Sequence, residues 1–249
     1  NAASHAAGAG RKLEAEMNRA AFYAVVRKDL GALTQSQVTG FEVLLTAVNG
    51  LPVAQQAYLL ATAWHETGAT MQPVREAHGA TDAQTIARLE KAWAAGKLKW
   101  VKKPYWRKDA DGKSWFGRGY VQLTHKDNYQ KASDRMGIDL VSDPSAALSP
   151  MIAARILVQG CTEGWFTGAK LSDFLPGNYV GARKVVNGTD RAQDIAHYAV
   201  TFEAALKAAE EAAPSPDVEL PASIPTQPAA AWWWNVFAGF IRLFWRQMK

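Results

Sequence analysis

Cysteine is almost absent from this chain of 249 residues, because Cys161 is the single example. One cysteine cannot form a disulfide within the chain, so nothing in the sequence marks a fold built in an oxidising compartment. Cys161 also lies in an apolar stretch with no candidate base beside it in sequence. This favours a buried packing residue over a catalytic thiol.

Metal-ligand spacing and a secretion signal are lacking as well. The five histidines are scattered and form no HxxxH or HxH pattern, so we predict no metal site and no cofactor. Residues 1–16 contain no apolar core of the kind that a signal peptide has. We interpret them as a disordered lead-in or a remnant of cloning, with Met17 as the natural start.

The chain is instead rich in basic residues and tryptophan, with a net charge of +5 and ten tryptophans. A basic balance favours anionic partners such as nucleic acid, anionic lipid, lipopolysaccharide or the bacterial wall, without selecting one of them. The composition divides the chain into one globular domain over 17–211, a Pro/Ala-rich linker over 212–230 and a Trp-rich cationic tail over 231–249. The globular part is long enough to bury a sizeable core.

Helical periodicity dominates the globular part. Thr34 and Gln37 have the spacing of a capping box, and Pro52 is placed to open a helix that reaches Glu66. Further helices are predicted over 81–95, over 127–136, from Pro150 onward, and after Asp190, which is expected to cap the last helix with Gln193. Residues 68–118 are less regular and predict a long loop or a small hairpin. The predicted fold class is all-α, mainly helical.

Two glutamates lie among aromatic and glycine residues. Glu66 follows Trp64 and precedes Gly68, and Glu76 comes ten residues later with Arg75 beside it as the expected charge partner. Glycoside hydrolysis uses two carboxyl groups, one as acid and the other as base or nucleophile. On spacing alone, the pair is more typical of solvated or structural carboxylates than of a catalytic pair.

Four motifs occur in a fixed order along the chain. They are His65–Gly68 (HETG), Phe116–Thr124 (FGRGYVQLT), Asn128-Tyr129 and Val186–Gly188 (VNG). Together they resemble the glycoside hydrolase family 19 chitinases, and most closely the phage and prophage endolysin branch, over roughly 17–207. The FGRGYVQLT segment followed by NY is the most specific part. The resemblance implies a lysozyme-like glycoside hydrolase domain.

The resemblance also implies roles for individual residues. The general acid falls on Glu66, and the general base for an inverting attack by water falls on Glu76. Thr124 and Gln122 would place the nucleophilic water and the substrate. Arg118 is as readily an ion-pair partner of a buried acid as a substrate contact, and His65 is open between a hydrogen-bonding or packing role and a general base. The full implied set is: catalytic Glu66, Glu76 and Thr124; substrate-binding His65, Arg118, Tyr120, Gln122, Asn128 and Asn187.

We therefore expect an endolysin that hydrolyses the β-1,4 bonds of peptidoglycan, as a muramidase or a glucosaminidase, and lyses the host cell. The disulfides and the cysteine-rich chitin-binding module of plant chitinases are absent from this sequence, which weakens chitin as a substrate. A chitinase is the first alternative. A membrane-active or wall-binding protein with a vestigial site is the second.

Partners and location follow from the charged segments. The cationic cluster over 97–108 predicts a solvated loop that edges the glycan groove, ahead of attraction to the anionic wall; no nucleic acid is expected, because no nucleic-acid fold accompanies the cluster. The tail predicts contact with anionic membrane or lipopolysaccharide, with docking on the catalytic domain as the alternative. We expect a monomer that accumulates in the host bacterial cytoplasm and is released, through a holin pore, to the periplasmic cell wall.

Overall fold

The computed structural model describes residues 17–212. The lead-in over 1–16, the linker from residue 213 and the tail over 231–249 lie outside the described residues, and so do the predictions made for them. In the described part the α-helices are α1 (Arg19–Leu30), α2 (Gln35–Val48), α3 (Val53–Glu66), α4 (Asp82–Ala94), α5 (Lys126–Met136), α6 (Pro150–Glu163), α7 (Tyr179–Ala182) and α8 (Ala192–Glu211). The prediction of a mainly helical fold is confirmed.

Short elements complete this part of the chain. Four 3-10 turns lie at Glu76–His78, Pro144–Leu148, Leu171–Asp173 and Arg183–Val185. Two strands of two residues each, β1 (Val74–Arg75) and β2 (Arg118–Gly119), pair in antiparallel register. The irregular region over 68–118 therefore contains one α-helix, α4, together with β1 and the first residue of β2. The sequence predicted a helix and a loop or small hairpin there.

Local capping explains where the helices begin. The predicted capping box of Thr34 and Gln37 forms at the start of α2, with both reciprocal hydrogen bonds present. The prediction that Asp190 caps α8 was wrong. Arg191 holds the N-cap position with a φ of 56°, and no side chain caps that helix. Asp190 instead offers its backbone carbonyl to Arg183, at 3.0 Å.

The main core surrounds α3, which packs against α8 and α2. Every residue of α3 from Gln56 to Trp64 is buried. Packing on all faces of this helix restricts its movement. Trp64 stacks on Phe41 with ring centroids 6.0 Å apart and meets Phe202 edge-on at 6.2 Å. Burial on this scale fixes the end of α3, and with it the backbone of Glu66.

A second, smaller apolar cluster lies between α4 and the segment before β2. Leu89, Trp106 and Phe116 form its buried centre. The indole Nε1 of Trp106 donates a hydrogen bond to Glu90 Oε1 at 2.8 Å, which satisfies its buried polar atom. Within 17–212, no helix has both the length and the apolarity needed to span a bilayer.

Candidate active site

Glu66 is the last residue of α3, and its side chain is only 18% exposed. Its Oε1 accepts a hydrogen bond from Arg183 Nη1 at 2.7 Å, and the Arg183 side chain is itself 4% exposed. Arg183 Nε donates to the carbonyl of Asp190, which fixes the guanidinium in turn. Among the described residues Glu66 Oε2 has no hydrogen-bond donor, so it is the oxygen left for a substrate.

The chain reverses directly after Glu66. Thr67 Oγ1 donates to the Ala63 carbonyl at 2.7 Å and accepts from the Met71 amide at 3.1 Å. A Cβ at Gly40 would lie 1.9 Å from the Met71 carbonyl oxygen, so only glycine permits α2 to approach this loop so closely. A Cβ at Gly68 would lie 3.9 Å from His78 Cε1. The end of α3 therefore borders the turn that begins with Glu76.

Glu76 begins a 3-10 turn directly after β1, and both of its carboxylate oxygens accept hydrogen bonds. Oε2 accepts from the Gly117 amide and Oε1 from the Tyr105 hydroxyl, each at 2.8 Å. The Glu76 amide in turn donates to the Gly117 carbonyl at 2.7 Å. Burial and the adjacent Glu76 charge raise the pKa of Tyr105, so its hydroxyl remains a donor across the ordinary pH range. The side chain is fixed from two directions.

Arg75 is not the charge partner of Glu76 that the sequence predicted. Its Nε donates to Asp82 Oδ1 at 2.7 Å, and its Nη1 donates to the Ala80 carbonyl. The two residues lie in different elements, because Arg75 ends β1 and Glu76 begins the 3-10 turn that follows. Arg75 thus ties β1 to the start of α4.

Gln122 and Thr124 converge on the backbone that holds Glu76. Gln122 Nε2 donates to the Val74 carbonyl at 3.1 Å, and Thr124 Oγ1 donates to the Gln122 carbonyl at 2.6 Å. A Cβ at Gly117 would lie 2.8 Å from Gln122 Oε1 and 3.0 Å from Thr124 Oγ1. Gln122 is held at a φ of 53°, a strained conformation that is common at functional sites. An amide, a hydroxyl and a carboxylate are thereby collected around one glycine.

The other predicted polar residues lie around this arrangement. Asn128 Nδ2 donates to the Thr124 carbonyl at 2.7 Å, so it holds the loop that carries Thr124. Asn187 is exposed, and its amide donates to the Arg183 carbonyl at 3.0 Å. His65 is partly buried beside Glu66. Asn187 is therefore linked to Glu66 through Arg183, and Asn128 is linked to the loop that carries Thr124.

The predicted glycan contacts of Arg118 and Tyr120 do not fit the structure. Arg118 is 2% exposed, donates to Asp82 Oδ2 at 2.8 Å, and lies with its guanidinium carbon 3.7 Å from the centre of the Phe116 ring. Tyr120 is fully buried, and its hydroxyl donates to the Met71 carbonyl. Buried side chains offer no surface to a sugar. Arg118 takes the alternative role of ion-pair partner, and Tyr120 supports the loop after Glu66.

Asp82 joins the site to the smaller cluster. Burial acts to raise the pKa of this carboxyl, but the hydrogen bonds and charges of Arg75 and Arg118 outweigh it and hold the pKa below its usual value. Asp82 therefore remains ionised at neutral pH and bridges the two paired strands. Elsewhere in 17–212, no group of three or more histidine, cysteine, aspartate or glutamate residues is arranged to hold a metal ion.

Sequence reasoning missed two residues that contact the candidate carboxylates. Arg183 lies 117 positions from Glu66 and three positions before the VNG motif, and no local sequence pattern indicates the pairing. Tyr105 lies 29 positions from Glu76 and was grouped only with the cationic cluster. The positions of both depend on tertiary packing.

Comparison with known proteins bears on this arrangement. Residues 55–170 match the family model of chitinase class I, glycoside hydrolase family 19. The match supports a family 19 domain in this chain. It covers just under half of the chain and includes both glutamates, Gln122 and Thr124, whereas Arg183 and Asn187 lie beyond it.

Two individual proteins are similar to parts of this chain. Chitinase 11 of Oryza sativa subsp. japonica is 49% identical over 45 residues, and the match spans 18% of each protein. The crystal structure of chitinase C from Streptomyces griseus HUT6037 has a TM-score of 0.50 at 17% identity, covering 82% of this chain and 79% of that one. The structural likeness establishes a shared, helix-rich, lysozyme-like fold.

Proposed function

We propose that this chain hydrolyses the β-1,4 glycosidic bonds of bacterial peptidoglycan by an inverting mechanism, with Glu66 as general acid and Glu76 as general base. The observation that carries the proposal is the unequal treatment of the two carboxyl groups. Glu66 keeps one oxygen without a protein donor, whereas Glu76 accepts two hydrogen bonds beside an amide and a hydroxyl. The family 19 match supports a chitinase-like glycoside hydrolase.

The acid step uses the free oxygen of Glu66. Arg183 holds Oε1 and fixes the side-chain rotamer, so Oε2 is the atom from which the proton passes to the glycosidic oxygen. As the bond from that oxygen to the anomeric carbon breaks, the leaving sugar gains the proton and the carboxyl becomes a carboxylate. The negative charge that develops on Glu66 then lies next to the Arg183 guanidinium. This contact stabilises the carboxylate and so favours proton transfer to the leaving sugar.

The base step takes place at Glu76. One water attacks the anomeric carbon from the face opposite the leaving group and loses its proton to the Glu76 carboxylate. Thr124 Oγ1 and the Gln122 amide lie beside Gly117, which holds Glu76, and so they are placed to orient that water. Tyr105 keeps the carboxylate oriented throughout. A single displacement of this kind inverts the anomeric configuration.

Peptidoglycan is proposed as the substrate because the chain is basic and peptidoglycan is anionic. The net charge is +5, and a surplus of positive charge concentrates an anionic polymer near the protein. In the same proposal the protein acts on the periplasmic cell wall after release from the host cytoplasm, as an endolysin, and works as a monomer. Contact of the cationic tail with membrane or lipopolysaccharide is a further part of this proposal.

A second candidate function is chitin hydrolysis. It is favoured by the family match and by the name of the rice relative, Chitinase 11. Both substrates contain β-1,4-linked N-acetylated sugars, so the same two carboxyl groups serve either reaction. The choice depends on surfaces beyond the catalytic pair.

The test measures reducing-sugar release from purified Gram-negative peptidoglycan and from glycol chitin, with the full chain and with Glu66→Gln. Glu210→Gln is the matched control, because Glu210 is an exposed glutamate on α8. We expect Glu66→Gln to lose about 10² to 10⁴ in rate, with Glu210→Gln unchanged. Mass spectrometry of the new reducing ends distinguishes a muramidase from a glucosaminidase, and NMR of the first anomer released checks inversion.

Each result selects one function. Faster hydrolysis of glycol chitin than of peptidoglycan would favour the chitinase. Lysis of cells that survives Glu66→Gln would favour a membrane-active or wall-binding protein. Full glycosidase activity in Glu66→Gln would remove Glu66 from the role of acid.

A further inference from the structure

A cationic concave surface adjoins the base side of the site. We call it the lysine groove; its volume is about 1100 Å³, and its lining includes Trp100, Lys102, Lys103, Tyr105, Lys108 and His125. This volume is at the upper end of what ligand sites in proteins enclose. The groove is thus large enough for part of a polymer.

The groove is continuous with the candidate active site through Tyr105. The ring of Tyr105 lines the groove, while its hydroxyl donates to Glu76 at 2.8 Å. His125 packs edge-on against that ring, with centroids 4.5 Å apart, and lines the same surface. A glycan strand that has a bond at Glu76 therefore has the lysine groove beside it.

The lining of the groove carries five basic side chains and two aspartates, Asp109 and Asp127, so a surplus of positive charge remains. Arg107 is paired with Glu90 at 2.6 Å, and Lys126 lies 3.7 Å from Asp111. The remaining cations, Lys102, Lys103 and Lys108, are exposed, and in the described part of the chain no carboxylate lies within ion-pair distance of them. The groove therefore has three ammonium groups available to an anionic partner.

Aromatic surface accompanies these charges. Trp100 is 75% exposed, which is unusual for so large an apolar side chain. Trp115 is nearly buried and lines the groove wall, and the Lys126 ammonium lies 5.5 Å from the centre of its ring. Exposed aromatic faces suit the apolar faces of sugar rings. The groove thus combines a sugar-binding surface with a surface for carboxylates.

We propose that the lysine groove binds the carboxylates of the peptide chains that peptidoglycan carries along its glycan strand, and thereby selects peptidoglycan over chitin. This rests on the function proposed above and deepens it. Chitin is an uncharged polymer of N-acetylglucosamine and gives the three lysines no partner. Peptidoglycan carries carboxylate-bearing peptides on alternate sugars, close to the bond that is cut. Charge complementarity and continuity with Glu76 together favour this occupant.

The experiment compares two triple variants of the full chain. Lys102→Gln, Lys103→Gln and Lys108→Gln are combined in the first; Lys28→Gln, Lys91→Gln and Lys207→Gln, which are exposed and outside the groove, form the matched control. Each triple variant loses three positive charges, so the two variants have equal net charge. Binding is measured by co-sedimentation with insoluble peptidoglycan, with peptidoglycan whose carboxyls have been amidated, and with insoluble chitin, at low and high ionic strength.

We expect the groove variant to bind native peptidoglycan roughly tenfold more weakly at low ionic strength, as three exposed ion pairs allow. The loss should shrink at high salt. Binding to amidated peptidoglycan and to chitin should be unchanged, and the control variant should resemble the unmodified chain. In kinetics on native peptidoglycan, the groove variant should raise KM with kcat retained.

The proposal is overturned if both triple variants lose the same affinity, if chitin binding falls as much as peptidoglycan binding, or if amidation has no effect on the unmodified chain. Loss of binding to anionic vesicles or to duplex DNA, with peptidoglycan binding intact, would also overturn it in favour of those partners. If the unmodified chain binds peptidoglycan through the groove but never cleaves it, the groove assignment stands and the proposed glycosidase function fails.

Discussion

The two candidate catalytic carboxylates are supported by unequal parts of the molecule. Glu66 ends α3, which is buried from Gln56 to Trp64 and enclosed by the main core. Glu76 follows a strand of two residues, and the segment around it rests on a cluster with three buried apolar residues. Apolar burial therefore holds Glu66 in place, while hydrogen bonds and a small cluster hold Glu76.

This difference has a consequence for local stability. Free energies of local opening vary across a protein, and regions with few buried apolar contacts open first. Apart from Trp115, which packs in the main core, the segment over 74–119 depends on the smaller cluster and on the Asp82 ion pairs, so we expect it to open at a lower free energy than α3 or α8. Glu76 should be the more easily displaced of the two carboxyl groups.

The largest expected effect comes from Glu76→Gln. An amide keeps the size of the side chain and can still accept one hydrogen bond, but it cannot take a proton from water. We expect kcat to fall by about 10² to 10⁴, with the free energy of unfolding changed little. Initial rates on peptidoglycan, beside Glu66→Gln and Glu210→Gln, measure this. Full activity of Glu76→Gln would mean that Glu76 is a structural carboxylate without a catalytic role.

The next largest effects are expected from two core truncations, one in the small cluster and one in the main core. Trp106→Ala empties the centre of the small cluster and Phe202→Ala empties part of the main core; both side chains are fully buried. Each should cost about 3 to 5 kcal/mol where it acts. We expect Trp106→Ala to lower kcat and to speed amide hydrogen exchange over 74–119, whereas Phe202→Ala lowers the global unfolding free energy.

To separate activity from stability, kcat of Trp106→Ala and Phe202→Ala is expressed per folded molecule. In Phe202→Ala it should stay near the unmodified value at a temperature where the protein remains folded. Equal losses of kcat in the two variants, with uniform acceleration of exchange, would mean that one cooperative unit supports both carboxylates.

A smaller effect is expected at Asp82, which connects the two regions. Asp82→Asn leaves the buried Arg118 without its charge partner, and we expect a loss of about 1 to 3 kcal/mol at pH 7, discounted because the Asp82 side chain is 43% exposed. The pKa of Asp82 is lowered in the folded protein. Its contribution is therefore fully present above the unfolded pKa of about 3.9 and is lost as pH falls through the folded pKa.

Denaturant titrations at several pH values check this. The difference in unfolding free energy between the unmodified chain and Asp82→Asn should be constant from pH 7 down to about pH 5 and shrink in more acid solution. A difference that persists unchanged at acid pH would show that the variant acts through packing and not through the ion pairs.

The helices and their caps were largely predictable from the sequence because they depend on neighbours three or four residues apart. Thr34 and Gln37 form the predicted capping box, and α3 ends at Glu66 as predicted. Asp190 failed as a cap because α8 begins one residue later than predicted, with Arg191 at the N-cap position, and the Asp190 carbonyl accepts from Arg183 of another element. Local patterns cannot reveal a partner that arrives from another element.

The surroundings of the candidate site were less predictable for the same reason. Motif resemblance placed Gln122 and Thr124 near Glu76, and the structure brings them together over Gly117. It also suggested glycan contact for Arg118 and Tyr120, which are buried. The residue types in a motif and their order do not reveal which of its side chains are buried. Arg183, the partner of Glu66, lies outside every motif used.

The smallest effect is expected from Tyr105→Phe, which tests how much one hydrogen bond contributes to holding Glu76. The variant keeps the ring that packs on His125 and lines the lysine groove, but it removes the donor to Glu76 Oε1. Glu76 would then be held only by Gly117. A hydrogen bond to a charged group contributes about 1.5 to 3 kcal/mol at most. Since water can replace the partly buried donor, we expect kcat to fall roughly threefold to tenfold.

KM on peptidoglycan should be nearly unchanged, because the groove surface is retained. Tyr179→Phe is the matched control: it removes a hydroxyl that donates to Glu203 at 2.7 Å and to neither candidate carboxyl group. Steady-state kinetics of both variants decide the matter. A fall in kcat for Tyr105→Phe alone means that the base depends on polar contacts as well as on the small cluster. Unchanged kcat would mean that the Gly117 amide is sufficient, and the base would then be held almost as firmly as the acid.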